Sequence, residues 1–181
     1  MMSKIELFHD SCINIKADAV VNAANRMLIN GGGICGQIFK AASIKPLLRA
    51  CQDCNPPLND GDAVITDGFN IPNQKYIIHA VGPNFSKTPN AFHELYLAYY
   101  NSLLVATNNN IHTISFPLIS AGIFGGDLKD APGESAKQCI KAYNDFINEY
   151  PDYDIELYLC GYNTGEYLSA KQVFEDNNIL N

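Results

Sequence analysis

Glycines and asparagines cluster in one short segment of this sequence. Residues 21–42 read VNAANRMLINGGGICGQIFKAA, in which a glycine triplet precedes a stretch with helical spacing. Consecutive glycines let backbone N–H groups converge on a bound oxyanion, and a helix N-terminus adds unpaired N–H groups. A second glycine-rich segment, SAGIFGG, occupies residues 120–126. Two such loops indicate a clamp for a diphosphate.

Two asparagines stand beside the first loop. An asparagine side chain offers two donors and an acceptor, so it can fix a turn or hold a ribose hydroxyl. Asn22 still falls in a predicted strand and is expected to brace the loop, whereas Asn25 lies closer to the glycines and is the predicted ribose ligand. Both are candidate ligand-binding residues.

The elements that position these loops follow from hydrophobic periodicity. Apolar runs rich in β-branched residues predict six strands, at residues 4–9, 18–22, 62–66, 75–81, 112–118 and 154–160. Helical spacing predicts five helices, at residues 34–43, 46–54, 92–103, 136–147 and after Thr164. Pro46 is expected at a first helical position, and Pro89 and Asn90 are expected to cap the third helix. The alternation predicts an α/β fold, a three-layer α/β/α sandwich with a mixed, mainly parallel central sheet.

Composition limits the domain count and the partners. With 181 residues, 47% of them apolar, the chain is expected to form a single domain over residues 1–181. A net charge of −7 without a cluster of basic residues argues against a nucleic-acid partner. The sequence has no apolar run of membrane-spanning length and no signal-peptide pattern, so we expect a cytoplasmic monomer without a membrane partner.

Metal, redox and nicotinamide sites are not favoured. The six cysteines are expected to be reduced, and Cys51 and Cys54 in CQDC have no second ligand pair for zinc. His79 stands among apolar strand residues and is expected in the core, not as a general base. The glycines at 31, 33 and 36 match a dinucleotide fingerprint, but AANRMLIN separates them from the strand and no acidic strand end follows. No metal and no cofactor is expected.

Four segments together resemble the macro domain family, the ADP-ribose-binding α/β/α module. They are ADAVVNAAN, GGGICGQIFKAA, GDAVITDGFNIPNQKYIIHAVGP and FPLISAGIFGG, in the order of the family and spread over roughly Ile5 to Cys160. The resemblance implies ADP-ribose or an ADP-ribosylated protein as the partner.

The resemblance also implies roles for residues of both loops. The first loop would pass along the diphosphate and the distal ribose, with Asn25 reaching that ribose; its ligand-binding residues are Gly32, Gly33, Ile34 and Gly36. The opposing diphosphate loop would consist of Ser120, Ala121, Gly122, Ile123, Phe124 and Gly125, with Phe124 packed on the distal ribose. The adenine amino group would be read by Asp10, or by Ser11 if the extra residue before NAAN lies elsewhere. Tyr162 is the predicted aromatic platform beside the adenine.

Whether the protein can hydrolyse such ligands depends on the residue that replaces an aspartate of similar hydrolases. Hydrolases with a similar glycine loop carry an aspartate in GGGVDG, where this chain has Cys35, so the candidate catalytic residues are Asn25, Gly33 and Cys35. An ordinary thiol is mostly neutral at pH 7 and a poor base, although a helix N-terminus could lower its pKa. Viral-type members with alanine at that place imply hydrolysis by positioning and electrostatics alone. Hydrolysis of mono-ADP-ribose from acidic side chains, or from small esters such as O-acetyl-ADP-ribose, and non-catalytic reading of ADP-ribose both stay open.

Overall fold

The computed structural model describes residues 2–179. Its strands are β1 (Lys4–His9), β2 (Ala19–Ala24), β3 (Ala63–Asp67), β4 (Tyr76–Val81), β5 (Thr113–Pro117) and β6 (Glu156–Gly161). Its helices are α1 (Gly33–Ala42), α2 (Ile44–Gln52), α3 (Phe92–Asn108), α4 (Ala131–Glu149) and α5 (Thr164–Asp176), with short 3₁₀ turns at Cys12–Asn14 and Ile123–Gly125. No helix within residues 2–179 has the length and apolar character needed to cross a membrane.

The six strands form one mixed sheet in the order β1-β6-β5-β2-β4-β3. Every neighbouring pair is parallel except β3 and β4, which are antiparallel, so the predicted mainly parallel sheet is confirmed. Parallel strands end at the same edge. The carboxyl ends of β1, β6, β5 and β2 therefore meet there, and both glycine-rich loops start from that edge.

Helices cover both faces of the sheet, which confirms the three-layer sandwich. Along β2, Ala19 and Val21 belong to the core under α3, α4 and α5, whereas Val20 and Ala24 belong to the core under α1 and α2. Strands covered on both faces read as nearly continuous apolar runs, as β2 does. Asn22 lies in the same alternation as Val20 and Ala24, so its side chain faces α1.

Three helix starts differ in detail from the sequence prediction. Helix α2 begins at Ile44, directly after Ser43 with its φ of 92°, so Pro46 is the third helical residue and not the first. Proline is tolerated there because N–H groups in the first turn have no intrahelical partner. Helix α3 follows Ala91 without a side-chain cap, and the predicted cap by Pro89 and Asn90 is wrong.

Helix α4 starts at Ala131, ahead of the first apolar residue in its predicted pattern. The Asp130 carboxylate accepts a hydrogen bond from the Gly133 N–H at 3.1 Å and so caps the helix. An N-cap aspartate satisfies one of the unpaired donors, which allows the helix to begin before its apolar stripe.

A buried glutamine fixes the turn between β1 and β2. Gln74 is 4% exposed. Its Nε2 atom donates to three carbonyl oxygens of the turn, those of Cys12 (3.2 Å), Ile13 (3.2 Å) and Ile15 (2.6 Å). Backbone groups in an irregular buried turn need such partners. Gln74 thereby holds the segment that carries Asp10 to the sheet edge.

We expect Gln74→Ala to lower the free energy of unfolding by about 2 kcal/mol, because the turn carbonyls lose their donor while remaining buried. Denaturant unfolding measures this change, provided that the slope with denaturant stays constant. Gln52→Ala, at the exposed end of α2, is the matched control and should stay within about 0.5 kcal/mol of the parent protein. Equal effects of the two substitutions would contradict the role of Gln74.

Candidate functional site

A cleft of about 620 Å³ opens at the carboxyl edge of the sheet, between the two glycine-rich loops. This volume suits a ligand of nucleotide size. The predicted site residues that line it are Asp10, Ser11, Asn25, Gly32, Gly33, Ile34, Cys35, Ser120, Ala121, Gly122, Ile123, Phe124 and Tyr162. The fold thus brings together segments that lie far apart in the sequence.

Three predicted ligand-binding residues lie behind the wall of the cleft. A Cβ atom on Gly36 would meet the Gly31 carbonyl oxygen at 2.6 Å, so the absence of a side chain lets α1 close on the glycine triplet. A Cβ on Gly125 would lie 2.7 Å from the Cβ of Ala131. Asn22 is 1% exposed. These residues support the cleft instead of facing its interior.

The glycine triplet opens the start of α1 to the cleft. Gly33 has a φ of +57°, in the left-handed region that glycine adopts without strain. No atom lies within 4 Å of a Cβ built on Gly32 or Gly33, so both face open space. The first N–H groups of a helix have no intrahelical partner and carry partial positive charge. The start of α1 can therefore bind an anion in the cleft.

Asn25 braces the first loop, the task that the sequence analysis assigned to Asn22. Its Nδ2 donates to the Ile29 carbonyl at 2.8 Å, and its Oδ1 accepts from the Ile29 N–H at 3.1 Å. One hydrogen of the Asn25 amide remains. A Cβ on Gly31 would lie 3.6 Å from this nitrogen, so the glycine triplet passes within van der Waals distance of the Asn25 amide. Asn25 can brace the loop and still donate one hydrogen bond into the cleft.

A bidentate ion pair holds the same loop from outside. The guanidinium of Arg26 donates from Nε and Nη2 to the two carboxylate oxygens of Asp60, both at 2.9 Å. The backbone carbonyl of Arg26 also accepts from the Leu58 N–H at 2.8 Å. Two-point contacts of this kind fix orientation as well as distance. The loop is therefore attached to the segment before β3.

The Cys35 thiol lies at the floor of the cleft in a neutral form. It is 6% exposed, accepts from Asn22 Nδ2 at 3.7 Å and donates to the Ile29 carbonyl at 3.6 Å. Burial raises the pKa of Cys35 above that of an ordinary thiol, although the hydrogen bond from Asn22 opposes this shift. The expectation that the start of α1 could lower this pKa is wrong. A neutral thiol cannot act as a general base for water.

His79 supports Asn22 from below. Asn22 and His79 are register partners in β2 and β4, and Asn22 Nδ2 lies 3.1 Å from His79 Nδ1. His79 Nε2 lies 2.9 Å from the hydroxyl oxygen of Thr66, which itself donates to the Asp67 carbonyl at 3.2 Å. This order places the imidazole proton on Nε2 and leaves Nδ1 as the acceptor. The predicted core position of His79 is confirmed, since its side chain is fully buried.

Cys51 and Cys54, the two cysteines of CQDC, contact neighbouring groups of the protein. The sulfur of Cys51 lies 3.8 Å from His79 Nε2, and Cys54 donates to the Ala50 carbonyl at 3.5 Å. All six cysteines are free thiols. Within residues 2–179, no three histidine, cysteine, aspartate or glutamate side chains come together in a way that could hold a metal ion.

A buried hydroxyl pair fixes the second loop. The Tyr99 hydroxyl accepts from the Ile119 N–H at 2.9 Å, and the Ser135 hydroxyl donates to the Ile119 carbonyl at 2.5 Å. Since the Ser135 proton is used in this way, Tyr99 donates to Ser135 across 2.6 Å. Both backbone groups of Ile119 are therefore paired. The next residue, Ser120, has a φ of 58° and donates from its hydroxyl to the Pro83 carbonyl at 2.7 Å.

The end of the cleft beside β1 and β6 presents a carboxylate with one free oxygen. Asp10 Oδ1 accepts from the Ser11 N–H at 2.7 Å and from Asn14 Nδ2 at 2.8 Å. Asp10 Oδ2 accepts no hydrogen bond from residues 2–179. Tyr162 is 61% exposed and follows β6 as Asp10 follows β1, because His9 and Gly161 are register partners. An aromatic ring and a free acceptor thus flank this end.

The charge at the cleft is unusual for an anion site. Among the described residues that line it, Asp10 and Glu166 are the only charged side chains, and no lysine or arginine faces it. An anionic ligand would therefore be held by backbone N–H groups and the start of α1, and not by ion pairs.

The sequence analysis missed several lining residues: Cys12, Ala23, Ala24, Gly31, Gln37, Pro117, Leu118, Cys160 and Glu166. The rule that ligands bind at the carboxyl ends of parallel strands could have identified those at the ends of β2, β5 and β6. Gln37 and Glu166 stand within the first two turns of helices that start at the cleft, which is the signal available for them.

We expect Tyr99→Phe to lower the free energy of unfolding by about 1–3 kcal/mol and to weaken ligand binding at the second loop, because the buried Ile119 N–H loses its acceptor. Denaturant unfolding and calorimetric titration with ADP measure the two effects. Tyr150→Phe removes a hydroxyl from an exposed ring and serves as the control. A stable Tyr99→Phe protein with unchanged affinity would contradict the role of this hydroxyl.

Stability should fall as the pH drops below neutrality because of His79. Burial lowers its pKa from 6.5 to about 4. A pKa lowered by folding means that the unfolded chain binds more protons between these values, so the contribution is complete above pH 6.5 and is lost toward pH 4. We expect a loss of about 2 kcal/mol from pH 7.5 to pH 5. Denaturant unfolding of the parent and of His79→Gln at both values tests this, since the variant should lose less; parallel pH dependence would refute the assignment.

Comparison with known proteins agrees with this architecture. The model of the family described as "Macro domain" matches residues 21–133. The Xenopus laevis protein named ADP-ribose glycohydrolase MACROD2 is 40% identical over 168 residues, which are 87% of this chain and 40% of that protein. The Oceanobacillus iheyensis macrodomain with ADP superposes with a TM-score of 0.85 at 29% identity, covering 97% of this chain and 92% of that one. The Trypanosoma brucei macrodomain in complex with ADP-ribose gives 0.79 at 26% identity, covering 93% and 68%. On this agreement of sequence and fold, the chain belongs to the macro domain family.

Proposed function

We propose that this protein binds ADP-ribose and hydrolyses mono-ADP-ribose esters, either on acidic protein side chains or on small molecules such as O-acetyl-ADP-ribose. The observation that carries the proposal is the polarity of the cleft. A free carboxylate oxygen lies at one end, backbone N–H groups lie in the middle, and an asparagine amide lies at the other end. This order matches adenine, diphosphate and ribose. The names of the related glycohydrolase and of the ligand-bound macrodomains support the same ligand.

The adenine end favours Asp10 over Ser11 as the reader of the amino group. Asp10 Oδ1 is occupied by two protein donors, which orients the carboxylate and leaves Oδ2 available. The Ser11 hydroxyl instead donates to Gln37 Oε1 at 3.4 Å. A free acceptor is what an exocyclic amino group requires. Tyr162, largely exposed at the same end, can pack beside the base.

The diphosphate and the distal ribose fit the remainder of the cleft. The start of α1 and the loop of residues 120–126 would supply N–H groups to the phosphate oxygens. The remaining N–H of Asn25 would donate to a hydroxyl of the distal ribose, and the Phe124 ring, 36% exposed, would cover its face. The reacting bond, between that ribose and the acyl group, would then lie beside Asn25 and Gly33.

Hydrolysis at this place would rely on positioning and not on a basic side chain. Water would add to the anomeric carbon of that ribose while the bond from this carbon to the ester oxygen breaks; the carboxylate departs with the bonding electron pair, and the proton of water would pass to solvent or to a substrate phosphate. A carboxylate leaves readily, so holding the ribose and stabilising the developing charge can accelerate the reaction. Neutral Cys35 would contribute shape alone.

A non-catalytic reader of ADP-ribose is the second candidate. The specific observation in its favour is the buried, neutral Cys35 at the position where similar hydrolases carry an aspartate. Binding and turnover use the same cleft, so activity alone separates the two candidates.

Release of ADP-ribose from a glutamate-linked mono-ADP-ribosylated protein tests the proposal, with the affinity for free ADP-ribose measured on the same samples. We expect the parent protein to release it, Asn25→Ala to reduce the rate by at least about 100-fold, and Cys35→Ala to remain within about threefold of the parent. Cys35→Asp should raise the rate, because a carboxylate there would be a stronger base than the thiol. Tight binding without release would establish the reader instead.

Asn25→Ala also removes the brace to Ile29, so the loop needs its own control. Arg26→Ala breaks the outer attachment of the same loop to Asp60 and leaves the Asn25 amide intact. A large loss of rate in Asn25→Ala with a small loss in Arg26→Ala would assign the effect to the amide. Equal losses in the two variants would assign the effect to the position of the loop. Separately, a Cys35→Ala protein that folds but is inactive would show that the thiol takes part in catalysis.

A further inference from the structure

Gln37 is a polar lining residue to which the proposed binding mode gives no task. It lies on α1, one turn after Gly33, and lines the cleft together with Asp10 and Ser11. Ser11 contacts both of these neighbours. Its N–H donates to Asp10 Oδ1 at 2.7 Å, and its hydroxyl donates to Gln37 Oε1 at 3.4 Å. A single residue therefore orients a carboxylate and a carboxamide at the same end of the cleft.

Each of these two groups keeps an unused hydrogen-bonding atom. Asp10 retains the acceptor Oδ2, since both protein donors bind Oδ1. Gln37 retains the donor Nε2, which makes no hydrogen bond to any other residue of the range 2–179. Because Gln37 Oε1 accepts from Ser11, its NH₂ group is turned away from that hydroxyl. The cleft thus offers one acceptor and one donor close together.

We propose that Gln37 is a second reader of the base and donates from Nε2 to a ring nitrogen next to the exocyclic amino group of adenine, N1 or N7. The inference rests on the proposed function, in which Asp10 accepts from that amino group. Adenine presents a donor beside an acceptor on both edges, so it complements the two side chains. Hypoxanthine and guanine present O6 to the carboxylate in place of the amino group, and on the N1 edge their protonated N1 would also face the Gln37 donor. The pair therefore selects adenine among purines.

Atom-deleted analogues test the inference directly. In 1-deaza-ADP and 7-deaza-ADP a C–H group replaces one ring acceptor, while the amino group is kept. We expect the parent protein to bind one of the two analogues about five- to tenfold more weakly than ADP, as for the loss of one hydrogen bond. Gln37→Ala should bind that analogue and ADP with equal affinity, because the interaction is already absent. Calorimetric titration of both proteins with ADP and with each analogue supplies the dissociation constants.

A second variant separates hydrogen bonding from shape. Gln37→Met keeps a side chain of similar length without a donor and should behave as Gln37→Ala does toward the analogues. IDP should bind more weakly than ADP to the parent and to both variants, since Asp10 still disfavours O6. If parent and variants lose the same factor with each analogue, or if neither analogue binds more weakly than ADP, Gln37 does not read the base.

Titration of the parent protein with ADP-ribose keeps the two proposals distinguishable. Absence of binding would overturn the proposed function and this inference together. Binding of ADP-ribose without any coupling between Gln37 and the analogues would overturn the role of Gln37 alone.

Discussion

Two loops, the second of which contains only a short 3₁₀ turn, must keep a fixed backbone path at the carboxyl edge of the sheet, and the cleft depends on this constraint. Side chains from neighbouring segments meet it by bonding the backbone of each loop. Asn25 pairs both backbone groups of Ile29, and Tyr99 with Ser135 pairs both backbone groups of Ile119. Buried or irregular backbone needs such partners. The N–H groups at the cleft are therefore positioned before any ligand arrives.

The sequence was sufficient for the fold because its signals are local. Apolar runs, glycine punctuation and helical spacing identify the strands, the sheet type and the two loops without knowledge of their contacts. Which of Asn22 and Asn25 braces the first loop depends on the direction of each side chain. Strand alternation places Asn22 on the face of Val20, under α1, and sequence position near the glycines does not reveal this. Gln37 was missed for a similar reason, since the hydrogen bond that orients it comes from Ser11 in a distant turn.

Burial, and not the helix start, decides the state of Cys35. Its sulfur is enclosed by the Asn22 amide and the Ile29 carbonyl, and Asn22 is itself held by His79. Desolvation of a thiolate in this setting outweighs the hydrogen bonds from the Asn22 side chain and the Gly31 backbone that favour it. The sequence analysis considered only the helix start, which lowers a thiol pKa, because the burial that raises it depends on packing that the sequence does not show.

No cationic side chain lies in the described wall of the cleft. The approach of an anion and its retention therefore depend on different interactions. The chain carries a net charge of −7, so its long-range field repels an approaching phosphate, whereas N–H dipoles act at contact distance. Salt shortens the reach of that field and leaves contacts inside the cleft nearly unchanged. Added salt should therefore accelerate association with little effect on dissociation, the reverse of the behaviour of proteins that attract phosphates through basic surfaces.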